Sequence, residues 1–260
     1  QNRFGYTRNI LLAPKDSTMG LPLTEQTLPD VLRKANYKTK AIGKWHLGAH
    51  ESLVPERRGF DEFFGFIIGG HRYFPEDLTI NDLTEARRQM DGYITRIYDN
   101  GNRIDTKKYL TEELSDNAVK FIEDNSDNPF FLYLSYNAPH TPLQATKKDL
   151  ERNMHIEVEK RRIYAAMVSS MDDGIGLILD KLEEKKITDN TIVIFFSDNG
   201  GVEWYNFSDN GVLRGIKGDF FEGGIRVPFT MQWPKKIKPG ITYDKPIIAL
   251  DVFATVASAA

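Results

Sequence analysis

Six residues of this 260-residue chain form a candidate set for chemistry on an anion: Lys44 and His46, His140, Asp198 and Asn199, and Lys217. Lysines neutralise oxyanions and imidazoles move protons. A carboxylate beside an amide offers hard oxygen ligands to a cation such as Ca2+ or Mg2+. As a set they suit transfer of a tetrahedral anion, in which a metal activates or orients the nucleophile and cations stabilise the non-bridging oxygens. The logic parallels phosphoryl transfer, where positioning and charge stabilisation dominate. Each member also has a plainer reading. Asp198-Asn199-Gly200 is a sequence that turns readily. A lysine such as Lys44 is ordinarily a solvated surface group, and Trp45 between Lys44 and His46 is then a core residue. His140, held between Pro139 and Pro142, is on its own more often structural than chemical. In Gly215-Ile216-Lys217-Gly218 the glycines permit close backbone approach to a ligand.

These residues need elements to position them. Apolar spacing predicts a first helix from about Glu25 to Ala35, capped by Thr24, with Leu28, Val31, Leu32 and Ala35 on one face and a left-handed end at Asn36. A short strand, Thr39 to Ile42, leads into Lys44 and His46. Residues two apart in a strand share a face, so the two side chains can point into one crevice. A second helix covers about Lys107 to Asp124, with Leu110, Leu114, Ala118, Phe121 and Ile122 on one stripe. Pro129 to Tyr136 reads as a strand that runs into Asn137-Ala138-Pro139-His140. A long helix, about Glu157 to Lys185, carries Ile163, Met167, Met171, Ile175, Ile178 and Leu182, a stripe read as core. Thr191 to Phe196 reads as a fully buried strand, ending at Ser197-Asp198-Asn199. Another short strand precedes Trp233-Pro234, and a last helix starts near Asp251. The stretch from Asp77 to Asn102 is polar and poorly periodic, an insertion or surface loop. Strand and helix alternate, which predicts a single α/β domain with a mostly parallel central sheet flanked by helices. Three polar clusters at strand ends match the rule that ligands bind at the carboxyl ends of strands in open α/β sheets.

Composition narrows the partners. Net charge is -3, so no basic surface for nucleic acid is expected. With no cysteine there is no disulfide, thiolate metal site or cysteine nucleophile in this chain. No apolar run has the length of a membrane span. The start, Gln1-Asn2-Arg3-Phe4-Gly5, has no signal-peptide core and reads as a cut end, with any targeting signal upstream.

With these motifs in hand, the chain resembles the type I, formylglycine-dependent sulfatases of the alkaline phosphatase superfamily, and among them the arylsulfatase and N-acetylgalactosamine-sulfatase group. Tyr37-Lys38-Thr39-Lys40-Ala41-Ile42 followed by Gly43-Lys44-Trp45-His46-Leu47-Gly48 is similar to the second signature of that family. Arg58-Gly59-Phe60-Asp61-Glu62-Phe63-Phe64-Gly65, Asn137-Ala138-Pro139-His140-Thr141-Pro142-Leu143, Ser197-Asp198-Asn199-Gly200-Gly201, Leu213-Arg214-Gly215-Ile216-Lys217-Gly218 and Glu222-Gly223-Gly224-Ile225-Arg226-Val227-Pro228 follow in the family's order.

The resemblance implies a role for each residue. Lys44 contacts sulfate and nucleophile. His46 hydrogen-bonds the nucleophile and later acts as base. His140 and Lys217 bind sulfate and help protonate the leaving oxygen. Asp198 and Asn199 ligate Ca2+, with Mg2+ as the alternative. The implied substrate is a sulfated carbohydrate or aryl sulfate, and the implied location periplasmic or secreted. Departures are as informative. The formylglycine arises from Cys or Ser in a Cys/Ser-x-Pro-x-Arg motif, expected upstream of Gln1, together with an Asp-Asp metal pair. Ser52-Leu53-Val54-Pro55 has the wrong spacing to Pro. Asn36 stands where the signature usually has glycine, and the usual C-terminal subdomain is not in this sequence. The expectation is an intact sulfatase whose 260-residue portion alone is inactive. Its rivals are a phosphodiesterase or phosphonate hydrolase of the same superfamily and a non-catalytic binder of sulfated glycans. His71, Arg72 and Tyr73 are candidates for a substrate rim, and packing of an aromatic-rich loop on the core explains Tyr73 equally well.

Overall fold

The computed structural model describes residues 13–260. Its strands are β1 (Lys38–Lys44), β2 (Glu62–Phe66), β3 (Ile97–Asp99), β4 (Asn102–Ile104), β5 (Phe130–Ser135), β6 (Val193–Phe196) and β7 (Phe229–Gln232). Its α-helices are α1 (Leu28–Lys34), α2 (Leu110–Asn125), α3 (Lys147–Arg152), α4 (Glu159–Glu184), α5 (Glu203–Asn206), α6 (Glu222–Ile225) and α7 (Ala249–Ala259). Contacts divide these residues into two compact units: the described chain up to Asn137 with Lys245–Ala260, and Ala138–Asp244.

The first unit is a mixed sheet of order β4-β3-β2-β1-β5 with helices packed on it. β1, between β2 and β5, runs parallel to both. β3 and β4 add an antiparallel hairpin at the far edge. The stretch expected as a polar insertion thus holds two short 3-10 turns, Leu83–Glu85 and Gln89–Ile94, and then β3, which joins the sheet between β2 and the edge strand β4. Parallel neighbours need a crossover of a dozen or more residues. Between β1 and β2 that crossover contains His46.

Local signals set the helix ends. The sequence suggested a start at Glu25 under a Thr24 cap, but α1 begins at Leu28. Thr27 is the cap: its Oγ1 accepts from the Asp30 backbone N–H, and the Asp30 carboxylate accepts from the Thr27 N–H at 2.9 Å. Pro29 explains the shift, because proline is tolerated in the first turn but breaks a helix interior. The other end agrees with expectation, with Asn36 left-handed at φ 64. On α2 the buried side chains include Leu110, Leu114, Ala118, Phe121 and Ile122, the expected stripe, and the helix lies over β1, β2 and β5.

The core beneath the crossover gathers Ala41, Trp45, Phe60, Phe63, Ile67 and Ile68. Each large apolar side chain buried there contributes about 2 kcal/mol. His71 and Tyr73 are each only 1% exposed, so neither can form a rim. They are core, with Tyr73 stacked on Tyr109 and His71 against Phe66. Arg72 does reach the surface, paired with Asp77 at 3.5 Å.

The second unit packs α3 against α4, with Asp173 receiving Arg152 at 2.7 Å and Lys148 at 3.4 Å. From the expected α4 stripe Met167 and Leu182 are fully buried, and the other four positions are half-buried. β6 pairs antiparallel with β7, its one partner among the described residues. The expectation of a fully buried β6 is corrected here. Phe195 and Phe196, which point to opposite faces of the ribbon, are each 38% exposed, so neither face is fully covered among the described residues.

Candidate active site

Lys44 is the last residue of β1, and Trp45 after it is the anchor of the crossover. Its indole is 6% exposed, packs edge-on against Phe60 at 6.1 Å, and donates Nε1–H to Leu53 O at 2.8 Å. A large side chain held at that many points fixes the backbone that carries its two polar neighbours. Trp45 N–H and His46 N–H then donate to Phe66 O and Ile67 O, at 3.0 and 2.9 Å.

His46 departs from the sequence picture. Its φ is 56, in the left-handed region, so it is not a strand residue and the two-apart rule does not aim its ring. Non-glycine residues in that region concentrate where surrounding structure over-determines them, commonly at functional sites. The ring is aimed instead by Gly69. A Cβ at Gly69 would lie 2.6 Å from His46 Cε1, 2.9 Å from Nε2 and 3.1 Å from Nδ1. The imidazole therefore occupies the place of the missing side chain. Nothing in the sequence reading singled out Gly69, although a glycine pair following an apolar run is a known mark of close approach.

The glycines around Lys44 have comparable reasons. Gly43 has φ 97, and a Cβ on it would sit 2.0 Å from Ser135 O across the β1–β5 pairing.

One prediction arises here. Gly69 is not among the positive-φ glycines, so alanine fits its backbone and only the His46 ring must give way. Gly69→Ala in the full-length protein is expected to lower kcat/KM by about 10- to 100-fold with little change in thermal midpoint, since misplacement near 1 Å has that effect on a reacting group. Unchanged activity would show that the ring's present position is not the working one.

The second unit holds the other four residues. His140 follows β5 at a turn with cis bonds before Pro139 and Pro142, its Nδ1 2.7 Å from Thr141 O. Asp198 and Asn199 follow β6 immediately, as expected. Asp198 is exposed. Asn199 donates Nδ2–H to Gly200 O at 2.9 Å, which leaves Oδ1 as its acceptor. A carboxylate and an amide oxygen are ligand types that a hard cation takes. Among the described residues no group of three or more His, Cys, Asp or Glu side chains forms a metal site.

The loop from Asn199 to Gly201 is laid directly on two others. Gly200 N–H donates to Gly224 O at 3.0 Å. Lys217 N–H donates to Gly201 O at 3.4 Å. The structure thus brings the Asp198-Asn199 loop and the Lys217 loop together. Among the described residues Lys217 has no ion-pair partner. The nearby Asp219 carboxylate instead accepts from Ile216 N–H at 3.0 Å. A half-buried lysine so placed is available to an anion.

Known proteins give this geometry its context. The family described as Sulfatase matches residues 1–260. The chain belongs to the sulfatase family. It is 32% identical to the uncharacterized sulfatase YdeN of Escherichia coli K12, over 99% of this chain and 46% of that protein. It is 34% identical to an arylsulfatase of Hemicentrotus pulcherrimus, over 98% of this chain and 45% of that protein. The solved structure of Ps i-CgsB in complex with k-i-k-neocarrahexaose is 38% identical, with a TM-score of 0.88 over 97% of this chain and 57% of that one. The sulfatase fold here is the mostly parallel α/β arrangement of the alkaline phosphatase superfamily. The chain spans about half the length of the curated relatives it matches. No helix among the described residues is long and apolar enough to cross a membrane.

Proposed function

We propose that the protein to which this chain belongs hydrolyses sulfate esters of a carbohydrate or an aryl alcohol. The observation that carries the reading is the sulfatase family match over the chain, with Lys44 and His46 on one rigid crossover and Lys217 held beside the Asp198-Asn199 loop. Similarity to Ps i-CgsB, solved with k-i-k-neocarrahexaose, supports a glycan substrate. A periplasmic or secreted location belongs to the same proposal.

In this reading Lys44 places its ammonium on a sulfate oxygen and beside the nucleophile. His46 hydrogen-bonds the nucleophile and takes up a proton. His140 and Lys217 hold the sulfate and deliver a proton to the departing oxygen. General acid help of that kind contributes about 10²- to 10⁴-fold. Asp198 and Asn199 would hold Ca2+ or Mg2+, which supplies positive charge to the sulfate oxygens when bound. The nucleophile, a formylglycine in relatives of this type, belongs to the same proposal and comes from outside the motifs described.

The test is turnover of matched 4-nitrophenyl sulfate and 4-nitrophenyl phosphate by the full-length protein, before and after chelation. The expected outcome is a preference for sulfate, loss of activity on chelation with recovery on added Ca2+, and a drop of about 10²-fold or more in His46→Ala and Lys217→Ala. A preference for phosphate would move the protein to the phosphoesterases of the superfamily. Binding of sulfated glycans without turnover would make it a non-catalytic binder.

A further inference from the structure

Asn210 lies outside every motif used so far, yet its side chain makes three of the bonds that hold the Lys217 loop. Its Oδ1 accepts from Gly201 N–H at 2.9 Å. Its Nδ2 donates to Gly201 O at 3.0 Å and to Gly215 O at 3.2 Å. Gly201 O is also the acceptor for Lys217 N–H, at 3.4 Å, and Gly215 is two residues before Lys217. Asn210 is itself tethered, its N–H donating to Glu203 Oε1 at 2.8 Å. Gly201 has been brought close to this segment: a Cβ there would lie 1.8 Å from Ser208 Oγ.

We infer that Asn210 is a positioning residue for the sulfatase reaction, a clamp whose amide fixes Lys217 relative to the Asp198–Gly201 loop. The inference rests on the role proposed above for Lys217. A plainer reading is that Asn210-Gly211 is only a turn, since Asn-Gly pairs favour turns and Gly211 has φ 63. The amide bonds argue against it. They reach across nine and five residues rather than to the turn's own backbone. They also require an acceptor and two donors on one short side chain, which only an amide provides. Aspartate, the same shape, loses both donors and turns an oxygen toward the carbonyls of Gly201 and Gly215.

The experiment is a double-mutant cycle of Asn210→Asp and Lys217→Ala in the full-length protein, read as kcat/KM on phenyl sulfates of graded leaving-group acidity. Asn210→Asp is expected to lower kcat/KM most for the poorest leaving group, by about 10²-fold, and much less for the best, because proton delivery matters most when the alkoxide is basic. In the Lys217→Ala background the same substitution is expected to have an effect smaller by about tenfold or more, the mark of two residues acting as one. A uniform loss across the series that simply adds to Lys217→Ala would make Asn210 structural and overturn the inference. Should Asn210→Asp not fold, Asn210→Ser, which keeps one hydroxyl partner, enters the same cycle with the same criterion. A full-length protein inert to every phenyl sulfate overturns the functional reading and the inference with it. An active protein with additive variants overturns the inference alone.

Discussion

Gly200→Ala is expected to abolish most sulfate-ester turnover, by about 100-fold or more. A Cβ at Gly200 would lie 1.7 Å from Gly223 O and 2.8 Å from Gly223 C. Both atoms are backbone, so no flexible side chain can move aside. The loop of Asp198 and Asn199 must separate from Gly223-Gly224, breaking the Gly200 N–H to Gly224 O bond of 3.0 Å. Misplacement of that size at a reacting centre has an effect of about 10²-fold, and overpacking itself destabilises by about 1–3 kcal/mol. Gly176 on α4 is the control, for a Cβ there meets nothing within 4 Å. Gly176→Ala is expected to stabilise by about 0.5–1 kcal/mol, the ordinary effect in a helix. The comparison is kcat/KM and thermal midpoint for both variants. Equal activities would mean the three-loop junction has no part in catalysis.

Acid should destabilise the first unit through His71. Burial holds the His71 imidazole down to about 4, and the positive charge of Arg103 acts in the same direction. Two carbonyls oppose this. Nδ1 lies 2.8 Å from Arg72 O and Nε2 2.8 Å from Thr95 O. A neutral ring can donate to only one of them, so both favour the charged form, but the loss of hydration outweighs them. With the folded value below the unfolded one, near 6.5, the unfolded chain binds the extra proton in this window. Stability is then full above about pH 6.5 and falls as pH drops toward 4. The loss is roughly 3 kcal/mol, from 1.36 kcal/mol for each pH unit of difference. Carboxylates titrate nearby, so the measurement is a difference: unfolding free energy against pH for the unaltered protein and for His71→Gln. Parallel curves between pH 6.5 and 4 would refute the assignment.

Much of this was legible in residue order. Apolar spacing along α2 found its buried stripe, because one helix face repeats every three to four residues whatever it packs on. Asn36 announced a left-handed helix end. The clusters after β1 and β6 were visible because apolar runs stop where polar motifs begin. Other readings failed for reasons of neighbourhood. Thr24 and Thr27 are equally good caps in isolation, and the position of Pro29 decided between them. His71 was a candidate for a substrate rim and Tyr73 was open between rim and core, and their burial against Phe66 and Tyr109 decides for core. β6 was judged by composition alone, whereas its burial depends on what covers its two faces.

Residue order alone carried the sulfatase motifs and their succession, and left the burial of Trp45 between Lys44 and His46 as one reading of two. Tertiary structure decided how those residues are held. That Gly69 leaves the space filled by the His46 ring and that Gly43 lies against Ser135 O depend on segments distant in the chain meeting, and that Asn210 joins Gly201 to Gly215 depends on how one loop folds back on itself. In the β1–β5 pairing a shift of a single residue would take Gly43 off Ser135 and turn the strand's side chains to the opposite face. Periodicity along the chain is a local property and carries no record of which backbone lies next door.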